Sequence, residues 1–439
     1  MLFRANSASL RGQSFLLICC LAVLALVGIV GMYSFDYGYF APTNSPAKDS
    51  TKGSTSDPTK GSTSGSTSGS TGGGLASTDE PSARSTFDSY LQKLHRGMHK
   101  EALQAYCSQD KFSETFVTSV KQRYADITPD NMEPMFIAIN LHNNEQILPN
   151  MATQLLALAD TLGHDRIFIS IYENGSEDKT KEILKRFDET LDALNIAHRI
   201  LTDPTPKPKQ VHRIEYLAKV RNSAMEPLYS SNVKYGKVLF SNDVYFCLTD
   251  VLELLFQSRA QGAHLTCAED FIEVRGKPAF YDTWVARDIE GKRMRDDPFH
   301  ISDDEMSVTA QMRDRPFQVQ CGWNGMVVID AEAFRGDNGL RFRRSAKGEC
   351  SASECSLFCN DLWRKGFNRI INVPRVKLAY DFKARNMLRR PENFPADTPY
   401  NSPEVEKISF RPGPKTVYCR PLKNPITDIQ DDPDEWVKL

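Results

Sequence analysis

Short apolar runs alternate with amphipathic segments through the middle of the chain, and this alternation restricts the possible folds more than any other feature. Four runs have the length and composition of buried β-strands: MFIAINL (135–141), IFISIYE (167–173), AHRIL (197–201) and KVLFSND (237–243). Apolar residues recur at helical spacing between and after them, in residues 145–162, 176–194 and 213–228. Alternating strands and helices predict an α/β fold, with a parallel sheet and helices on both of its faces.

Polar residues gather directly after three of these strands. In chain order they are His142, Asn143, Asn144 and Glu145, then Glu173, Asn174, Gly175, Ser176, Glu177 and Asp178, and finally Asn242 and Asp243. In such sheets the ligand binds outside the carboxyl ends of the strands. The three polar segments are therefore predicted to converge on one site, with His142 and Asn143 among its ligand-binding residues.

Asn242 and Asp243, at the end of the fourth strand, are predicted to bind a divalent metal ion. Mg²⁺ and Mn²⁺ prefer oxygen ligands and often share them with a diphosphate. A cation held there would offset the charge that develops on a leaving nucleotide diphosphate, which makes Asp243 a catalytic candidate. The same pair of residues is also typical of a turn or of a helix cap.

The polar segment after the second strand opens a helix and can bind a nucleotide. Gly175 permits a tight turn and the close approach of a ligand, while Glu173 and Asp178 can accept hydrogen bonds from ribose hydroxyls. The alternative is a capping turn with Ser176 as the N-cap. Asn174 also begins an N-glycosylation sequence. Because a glycan would block a nucleotide, we predict that Asn174 is unmodified.

Arg213, Arg221 and Asn222 lie on the third helical segment and are further candidates for the nucleotide site. An arginine side chain can form two parallel hydrogen bonds to a diphosphate, or reach a base carbonyl. The alternative for each arginine is a solvated cation on an amphipathic helix.

Two downstream motifs can bind or activate an acceptor. Trp323 and Asn324, in CGWNG, precede the apolar run MVVID, and the indole offers a surface on which a sugar can stack; the alternative is a core tryptophan. Glu354 and Asp361, in ECSASECSLFCND, are candidates for orienting or activating an acceptor hydroxyl. The three cysteines of that segment lack a fourth ligand nearby, so disulfides are favoured over zinc.

The N-terminal region predicts membrane anchoring. Residues 15–35 carry no charge and are long enough to span a bilayer, and Arg4 and Arg11 precede them. The alternative, a cleaved signal peptide, has a shorter apolar stretch. The predicted layout is a cytoplasmic tail (1–14), a signal anchor (15–35), a disordered Ser/Thr/Gly-rich stem (36–85), a lumenal catalytic domain (86–390) and a C-terminal tail that wraps it (391–439).

Composition bears on compartment and partners. The chain has ten cysteines, and the eight outside the apolar run predict disulfides, or a few bridges with buried free thiols. The formal net charge is -2, and the cysteines and histidines do not have the spacing of zinc fingers, so no nucleic-acid partner is predicted.

Several of these motifs together resemble the fungal cryptococcal mannosyltransferase family, which includes capsule-associated proteins of encapsulated yeasts. They are FIAINLHNNE, SIYENGSEDKT, RIEYLAKVRN, VLFSNDVYF, CGWNG and ECSLFCNDLW followed by NVPRVKLAY, and they extend over about residues 90–385. The resemblance implies a GT-A-like fold, a type II Golgi membrane protein and GDP-mannose as donor. It also implies α-1,3 transfer to a mannose-containing glycan, with retention of configuration.

The resemblance assigns roles to individual residues. Asn242 and Asp243 match the Asn-Asp pair that replaces the more usual Asp-x-Asp metal motif, which implies Mn²⁺ or Mg²⁺. Arg221 and Asn222 match an Arg-Asn pair. The matches to the donor loop of the family are Glu173, Asn174, Gly175, Ser176 and Asp178.

Two other functions remain open on the sequence. One is a transferase that uses a UDP-sugar, because the donor loop does not distinguish guanine from uracil. The other is a non-catalytic lumenal protein that organises polysaccharide synthesis or export.

Overall fold

The structure is a computed structural model, and it describes residues 82–94, 107, 121–205, 208, 210–388, 406–422 and 435–439. The predicted cytoplasmic tail, the membrane anchor and most of the stem lie outside these residues. Among the residues it does describe, no helix combines the length and the apolar character that crossing a membrane requires.

The described strands and helices alternate, as expected from the sequence, from Met135 as far as Val274, and beyond it several strands follow one another directly. The strands are β1 (Met135–Leu141), β2 (Ile167–Asn174), β3 (His198–Asp203), β4 (Lys237–Ser241), β5 (Leu265–Val274), β6 (Lys277–Phe280), β7 (Arg287–Asp288), β8 (Phe317–Cys321), β9 (Met326–Asp330), β10 (Ile370–Ala379), β11 (Thr416–Cys419) and β12 (Glu435–Lys438). The α-helices are α1 (Ala83–Leu94), α2 (Leu148–Leu162), α3 (Thr180–Ala193), α4 (Arg213–Tyr229), α5 (Leu248–Gln261), α6 (Glu305–Gln311), α7 (Glu354–Arg364) and α8 (Phe382–Met387).

The main sheet is mixed, not wholly parallel. Its strands lie in the order β3-β2-β1-β4-β9-β5-β10-β8-β7, with β6 paired to β5. The first four strands pair in parallel as predicted, but β9 runs antiparallel to both β4 and β5. The prediction of a wholly parallel sheet is therefore wrong, because beyond β4 only β5 and β10 pair in parallel among the described strands. A strand that is buried on both faces has the same apolar composition in either direction, so the sequence did not show that β9 is reversed.

Helices cover both faces of this sheet, as predicted. In β1, Ile137 and Ile139 pack into a cluster with residues of α2, α3 and α5, whereas Phe136 and Ala138 pack on the other face with residues of α4 and α7. Burial on both faces explains why β1 reads as a continuous apolar run. The α/β class is confirmed, and the carboxyl ends of β1, β2 and β4 lie side by side.

Two helices begin later than predicted. Helix α2 starts at Leu148 because Asn144 O accepts the backbone N–H groups of Ile147 and Leu148 in a preceding turn. Helix α3 starts at Thr180, with Lys179 in the N-cap position. Ser176 is therefore not an N-cap, and that alternative for the polar loop is wrong.

Six of the eight cysteines outside the N-terminal apolar run form disulfides. The pairs are Cys107–Cys247, Cys321–Cys359 and Cys350–Cys419, while Cys267 and Cys355 are buried free thiols. The prediction of a few bridges with buried thiols is confirmed. The Cys350–Cys419 bond attaches β11, in the C-terminal segment, to the loop before α7.

Asp288, in β7, is almost completely buried, and this burial raises the pKa of its carboxyl from the usual 3.8 to about 6. Its Oδ1 accepts the N–H groups of Glu290 and Lys292, and its Oδ2 lies 3.4 Å from Ser302 Oγ. An asparagine can make the same contacts without a charge.

We expect Asp288→Asn to stabilise the protein at neutral pH. The native state binds the Asp288 proton more tightly than the unfolded state, so wild-type stability falls as pH rises from about 4 through 6. The variant has no carboxyl at this position, so its stability does not fall in this way as pH rises. Its free energy of unfolding should exceed that of the wild type by up to about 3 kcal/mol at pH 7, and by almost nothing near pH 4. Urea unfolding at several pH values measures the difference, with exposed Asp337→Asn as control. A constant difference across this pH range would contradict the prediction.

Candidate active site

Asn143 joins the loops that follow β1 and β2. Its N–H donates to Ser176 Oγ at 2.8 Å, and its Oδ1 accepts from the N–H of Glu177 at 2.8 Å. Its φ of 56° is left-handed, a conformation that asparagine adopts more readily than most residues. His142 adds a contact between its Nδ1 and the carbonyl oxygen of Asn174, at 2.7 Å. The predicted ligand-binding residues of the two loops are therefore in contact.

A second set of hydrogen bonds joins the same loops to the start of α3. The Glu145 N–H donates to Asp178 Oδ2 at 3.0 Å, and Glu145 Oε2 accepts from the Lys179 N–H at 3.0 Å. The Asn144 N–H donates to Thr180 Oγ1 at 2.7 Å. Asp178 thus orders the loop, and its Oδ1 also accepts from the Thr180 N–H. This bonding holds the strand ends as one rigid unit.

Glu173 lies beneath the loop after β2 and is completely buried. Its Oε1 accepts from the backbone N–H of Ser176, while its Oε2 has no hydrogen-bond partner in the described part of the chain. Gly175, with φ of 75°, makes the turn, and its N–H donates to Asp203 O at 2.7 Å. A buried carboxylate oxygen without a donor is costly, so a hydroxyl or water donor is expected to approach it when the site is filled.

Asp243 connects the end of β4 to the loop after β1. Its Oδ2 accepts from Asn144 Nδ2 at 2.9 Å. Burial raises the pKa of the Asp243 carboxyl, while the Asn144 hydrogen bond and the charges of Arg221 and His142 oppose that rise. The three polar segments predicted from the sequence are therefore joined in one hydrogen-bonded network, with the Asp243 carboxylate at its β4 end.

The side chain of Asn242 points toward Arg221. Asn242 Oδ1 lies 3.2 Å from Arg221 Nη1 and 3.4 Å from Trp323 Nε1, and its Nδ2 donates to the Tyr380 hydroxyl at 2.9 Å. A metal ion bound to this oxygen would have to displace those two donors. Asp243 is thus the better ligand of the pair, and one carboxylate with substrate phosphates is a common Mg²⁺ arrangement.

Arg221, on α4, is the centre of a cluster of one carboxylate and two aromatic rings, and its side chain is 13% exposed. Its Nε donates to Glu354 Oε1 at 2.8 Å, at the first residue of α7. Its guanidinium carbon lies 5.0 Å from the ring centroid of Phe240 and 4.9 Å from that of Trp323. The solvated-cation alternative for Arg221 is therefore wrong. Ser353 Oγ donates to Glu354 Oε2 at 3.2 Å. This hydrogen bond holds the carboxylate of Glu354 in place, and the carboxylate in turn holds the guanidinium of Arg221.

Asp270 and Asp282 form an acidic pair next to this cluster that our sequence analysis missed. The Asp282 N–H donates to Asp270 Oδ1 at 3.2 Å. Burial raises the pKa of both carboxyls, that of Asp282 to about 6. The charge of Arg221 opposes the rise at Asp282. The available signal was the sequence LTCAEDFIEV, in which two acids interrupt an otherwise buried strand.

Four predicted residues serve the protein's own structure. Asn222 donates to Phe342 O at 2.8 Å and accepts from the Phe342 N–H at 3.1 Å. Trp323 and Asn324 are completely buried or nearly so; Asn324 Nδ2 donates to Ala268 O at 2.9 Å. Trp323 therefore offers no free face to a sugar, which favours the core alternative. Asp361 forms ion pairs with Arg343 and Arg364, and none of its contacts in the described residues joins it to Asp243.

Arg213, the first residue of α4, precedes Arg221 by eight residues, or about 12 Å along the helix. Its guanidinium carbon stands 6.0 Å from the ring centroid of Trp284, which is a cation–π distance.

Asn174 is expected to carry no N-linked glycan when the protein is made in a eukaryotic host. Its carbonyl oxygen contacts the His142 ring, and its side chain is hydrogen-bonded to Tyr216. Asn174 therefore begins a loop that is bonded to neighbouring segments through both its backbone and its side chain. Glycosylation would place a bulky sugar in this loop. Intact mass before and after enzymatic N-glycan removal measures this, since the sequence has no other unblocked acceptor. A mass loss would contradict the prediction.

The chain is similar to known mannosyltransferases. A model of the family described as Cryptococcal mannosyltransferase 1 matches residues 134–361. The alpha-1,3-mannosyltransferase CMT1 of Cryptococcus neoformans var. neoformans serotype D is 29% identical over 334 residues, or 70% of this chain and 71% of that protein. The matched region contains Asp243, Arg221 and Glu354.

Solved structures give weaker likenesses. Mannosyltransferase PcManGT from Pyrobaculum calidifontis, in complex with GDP-Man and Mn²⁺, has a TM-score of 0.37 and 12% identity over 67% of each chain. Glucosyl-3-phosphoglycerate synthase from Mycobacterium tuberculosis, in complex with Mg²⁺ and uridine diphosphate, has a TM-score of 0.32 and 14% identity over 59% of this chain and 73% of its own.

Proposed function

The chain belongs to the Cryptococcal mannosyltransferase 1 family, and on that basis we propose that it transfers mannose from GDP-mannose, in α-1,3 linkage, to a mannose-containing glycan. It is a glycosyltransferase. The product enters capsule or cell-wall polysaccharide, and the enzyme is a single-pass type II protein of the Golgi membrane with its catalytic domain in the lumen. The uncharged run at residues 15–35 and the low-complexity stem support that topology.

One observation carries the proposal: the Asp243 carboxylate lies where the polar loops after β1, β2 and β4 are bonded together. This is the edge where parallel α/β sheets bind their ligands. We assign the fold to the GT-A type, with the donor nucleotide along the β1 and β2 loops and its diphosphate at Asp243. The mixed sheet with its four parallel strands supports that assignment.

A divalent ion fits this site. Asp243 would hold Mn²⁺ or Mg²⁺ together with the donor phosphates, and the ion would supply electrostatic stabilisation of the leaving diphosphate. Asn144 holds the carboxylate in position through its hydrogen bond. Arg221, kept in place by Glu354, provides a fixed positive charge beside it.

The reaction is proposed to retain the anomeric configuration. The bond from the anomeric carbon to the diphosphate breaks, the bond to the acceptor hydroxyl forms on the same face, and the leaving phosphate takes the hydroxyl proton. Glu354 is therefore a positioning residue for Arg221. Since the pKa values of Asp270 and Asp282 are raised, this pair retains a proton at higher pH than ordinary carboxyls and can hydrogen-bond a sugar hydroxyl.

The proposal is tested with the full-length chain in detergent, an α-mannoside acceptor, and GDP-mannose or UDP-sugars as donors, with Mn²⁺, Mg²⁺ or a chelator. We expect transfer from GDP-mannose only, loss of transfer with the chelator, and an α-1,3 linkage by NMR of the product. Transfer from a UDP-sugar would contradict the proposal that GDP-mannose is the donor. Transfer in the presence of the chelator would contradict the proposed requirement for a divalent metal ion. A folded protein that uses no donor would favour the non-catalytic alternative.

A further inference from the structure

One imidazole and two carboxylates come together where α3 packs beside β3, at the edge of the main sheet. His198 is the first residue of β3, and Asp188 and Asp192 lie four residues apart on α3, which places them on one face of that helix. His198 Nε2 lies 3.1 Å from Asp188 Oδ1 and 3.8 Å from Asp192 Oδ1. One nitrogen and two oxygens thus lie within 4.8 Å of one another.

The orientation of the His198 ring is set by a residue outside this group. Its Nδ1 lies 2.7 Å from the carbonyl oxygen of Ile196. A carbonyl oxygen only accepts, so Nδ1 carries the hydrogen, and the Nε2 of the neutral ring presents a lone pair. The side chain of His198 is only 9% exposed. A buried nitrogen that has no hydrogen in the neutral ring is therefore aimed at the two carboxylates.

Three electron-pair donors at these distances repel one another unless a cation lies between them. Among the described residues, no lysine or arginine forms an ion pair with Asp188 or Asp192, and His198 is the basic group that contacts both. The balancing positive charge is therefore either a second proton on His198 or a bound metal ion.

A second histidine provides a comparison within the same protein. The Nδ1 of His164 lies 3.1 Å from Leu194 O, and its Nε2 lies 3.1 Å from Asp160 Oδ1. Here one carboxylate is present instead of two, and Arg84 forms an ion pair with it. The side chain of His164 is also 35% exposed. The group at His198 has one more carboxylate and a buried ring, and it lacks the balancing arginine.

The distances at His198 fit a tetrahedral zinc ion. Zinc binds imidazole nitrogen and carboxylate oxygen at about 2.0–2.2 Å, which places neighbouring ligand atoms about 3.4 Å apart. The separations of 3.1 and 3.8 Å lie on either side of this value. The side chains of Asp188 and Asp192 are 44% and 77% exposed, so small rotations can close the site and an ion can enter it from solvent. The bond to Ile196 O is the outer contact that orients a metal-binding histidine.

We infer that His198, Asp188 and Asp192 bind a transition-metal ion, Zn²⁺, with water as the fourth ligand. Imidazole suits zinc, whereas Mg²⁺ and Ca²⁺ prefer oxygen ligands alone. The ion joins α3 to β3 and stabilises the edge of the sheet. His198 lies at the amino end of β3, and Asp243 follows the carboxyl end of β4, so the two sites are at opposite ends of parallel strands. The inference is independent of the proposed transferase function.

The test measures zinc binding to the full-length chain in detergent, purified without a polyhistidine tag and stripped of metal with a chelator. Every protein carries Asp243→Asn, so that the proposed metal ligand of the active site is absent. Asp192→Asn and His198→Gln are the site variants, and His164→Gln is the matched control. Asp192 is 77% exposed, so its substitution tests binding without disturbing the core. Calorimetric titration gives affinity and stoichiometry, and thermal unfolding with Zn²⁺ or Mg²⁺ gives Tm.

We expect the parent protein to bind one equivalent of Zn²⁺, and saturating zinc to raise its Tm by about 3 °C or more, whereas Mg²⁺ does neither. Each site variant should lose at least about tenfold in zinc affinity together with the rise in Tm, and His164→Gln should keep both. Failure of the parent protein to bind zinc would overturn the inference, and the charge at His198 would then be a proton. Equal binding by the parent and the site variants would also overturn it. Since no transfer is assayed, either result leaves the proposed function intact.

Discussion

Asp243→Asn is expected to lower kcat for mannose transfer by about 10²- to 10³-fold, the loss typical of removing one preorganised electrostatic group. The substitution keeps the shape of the side chain, and an asparagine oxygen can still accept from Asn144. What disappears is the negative charge that would hold the proposed cation against the leaving diphosphate. Stability should change little or increase, since burial raises the pKa of this carboxyl.

The control for Asp243 lies on the neighbouring strand β9, beside the opposite end of β4. Asp330 pairs with Lys237 where β4 begins, so Asp330→Asn removes a carboxylate from the edge of the sheet away from the site. Transfer of radiolabelled mannose under saturating donor and Mn²⁺ measures both variants. The account predicts an Asp330→Asn rate within about twofold of wild type. A similar loss in both variants would show that a general change of structure, not the site, is responsible.

Arg221→Ala is expected to reduce the free energy of unfolding by about 3–5 kcal/mol, which is a large part of the stability of an ordinary domain. The side chain of Glu354 is 2% exposed, and its ion pair with Arg221 is the charge contact that compensates this burial. Removing the arginine leaves that carboxylate unpaired. It also removes the cation that packs against Phe240 and Trp323.

A double variant that carries neither charge separates the effect of the unpaired carboxylate from that of the lost packing. Arg221→Met/Glu354→Gln removes both charges and fills much of the same space, so it should recover more than half of the stability lost in Arg221→Ala. Urea unfolding of each variant gives the free energies. Arg186→Ala is the control, since its pair with Glu189 is 54% and 49% exposed and is worth about 0.3–0.5 kcal/mol. If Arg221→Ala lowered the free energy of unfolding as little as Arg186→Ala does, the ion pair between Arg221 and Glu354 would not have the stabilising role assigned to it.

The sequence predicted the strands that position the site better than it predicted the site itself. β1, β2 and β4 are apolar on both faces and end at polar residues, so their bounds and their converging ends follow from local composition. The direction of β9 does not follow, because strand pairing depends on contacts distant in sequence.

Side-chain roles were harder to predict because they depend on tertiary contacts. Glu354 and Asp361 lie seven residues apart, or about 10 Å along α7, so they could not both act at one acceptor hydroxyl. Asp361 instead pairs with Arg343 and Arg364. Asp270 and Asp282 were missed because the contact between them is formed only in the folded sheet.

Ligand-dependent thermal unfolding tests the central claim, that the Asp243 site binds a guanine nucleotide together with a divalent ion. The full-length protein is heated with GDP or UDP, each with Mn²⁺ or with a chelator. At 100 times its dissociation constant a ligand adds about 2.7 kcal/mol. The account predicts a higher Tm with GDP and Mn²⁺ together, and no such rise in Asp243→Asn. An equal rise with UDP, or a rise with GDP that survives both the chelator and Asp243→Asn, would contradict it.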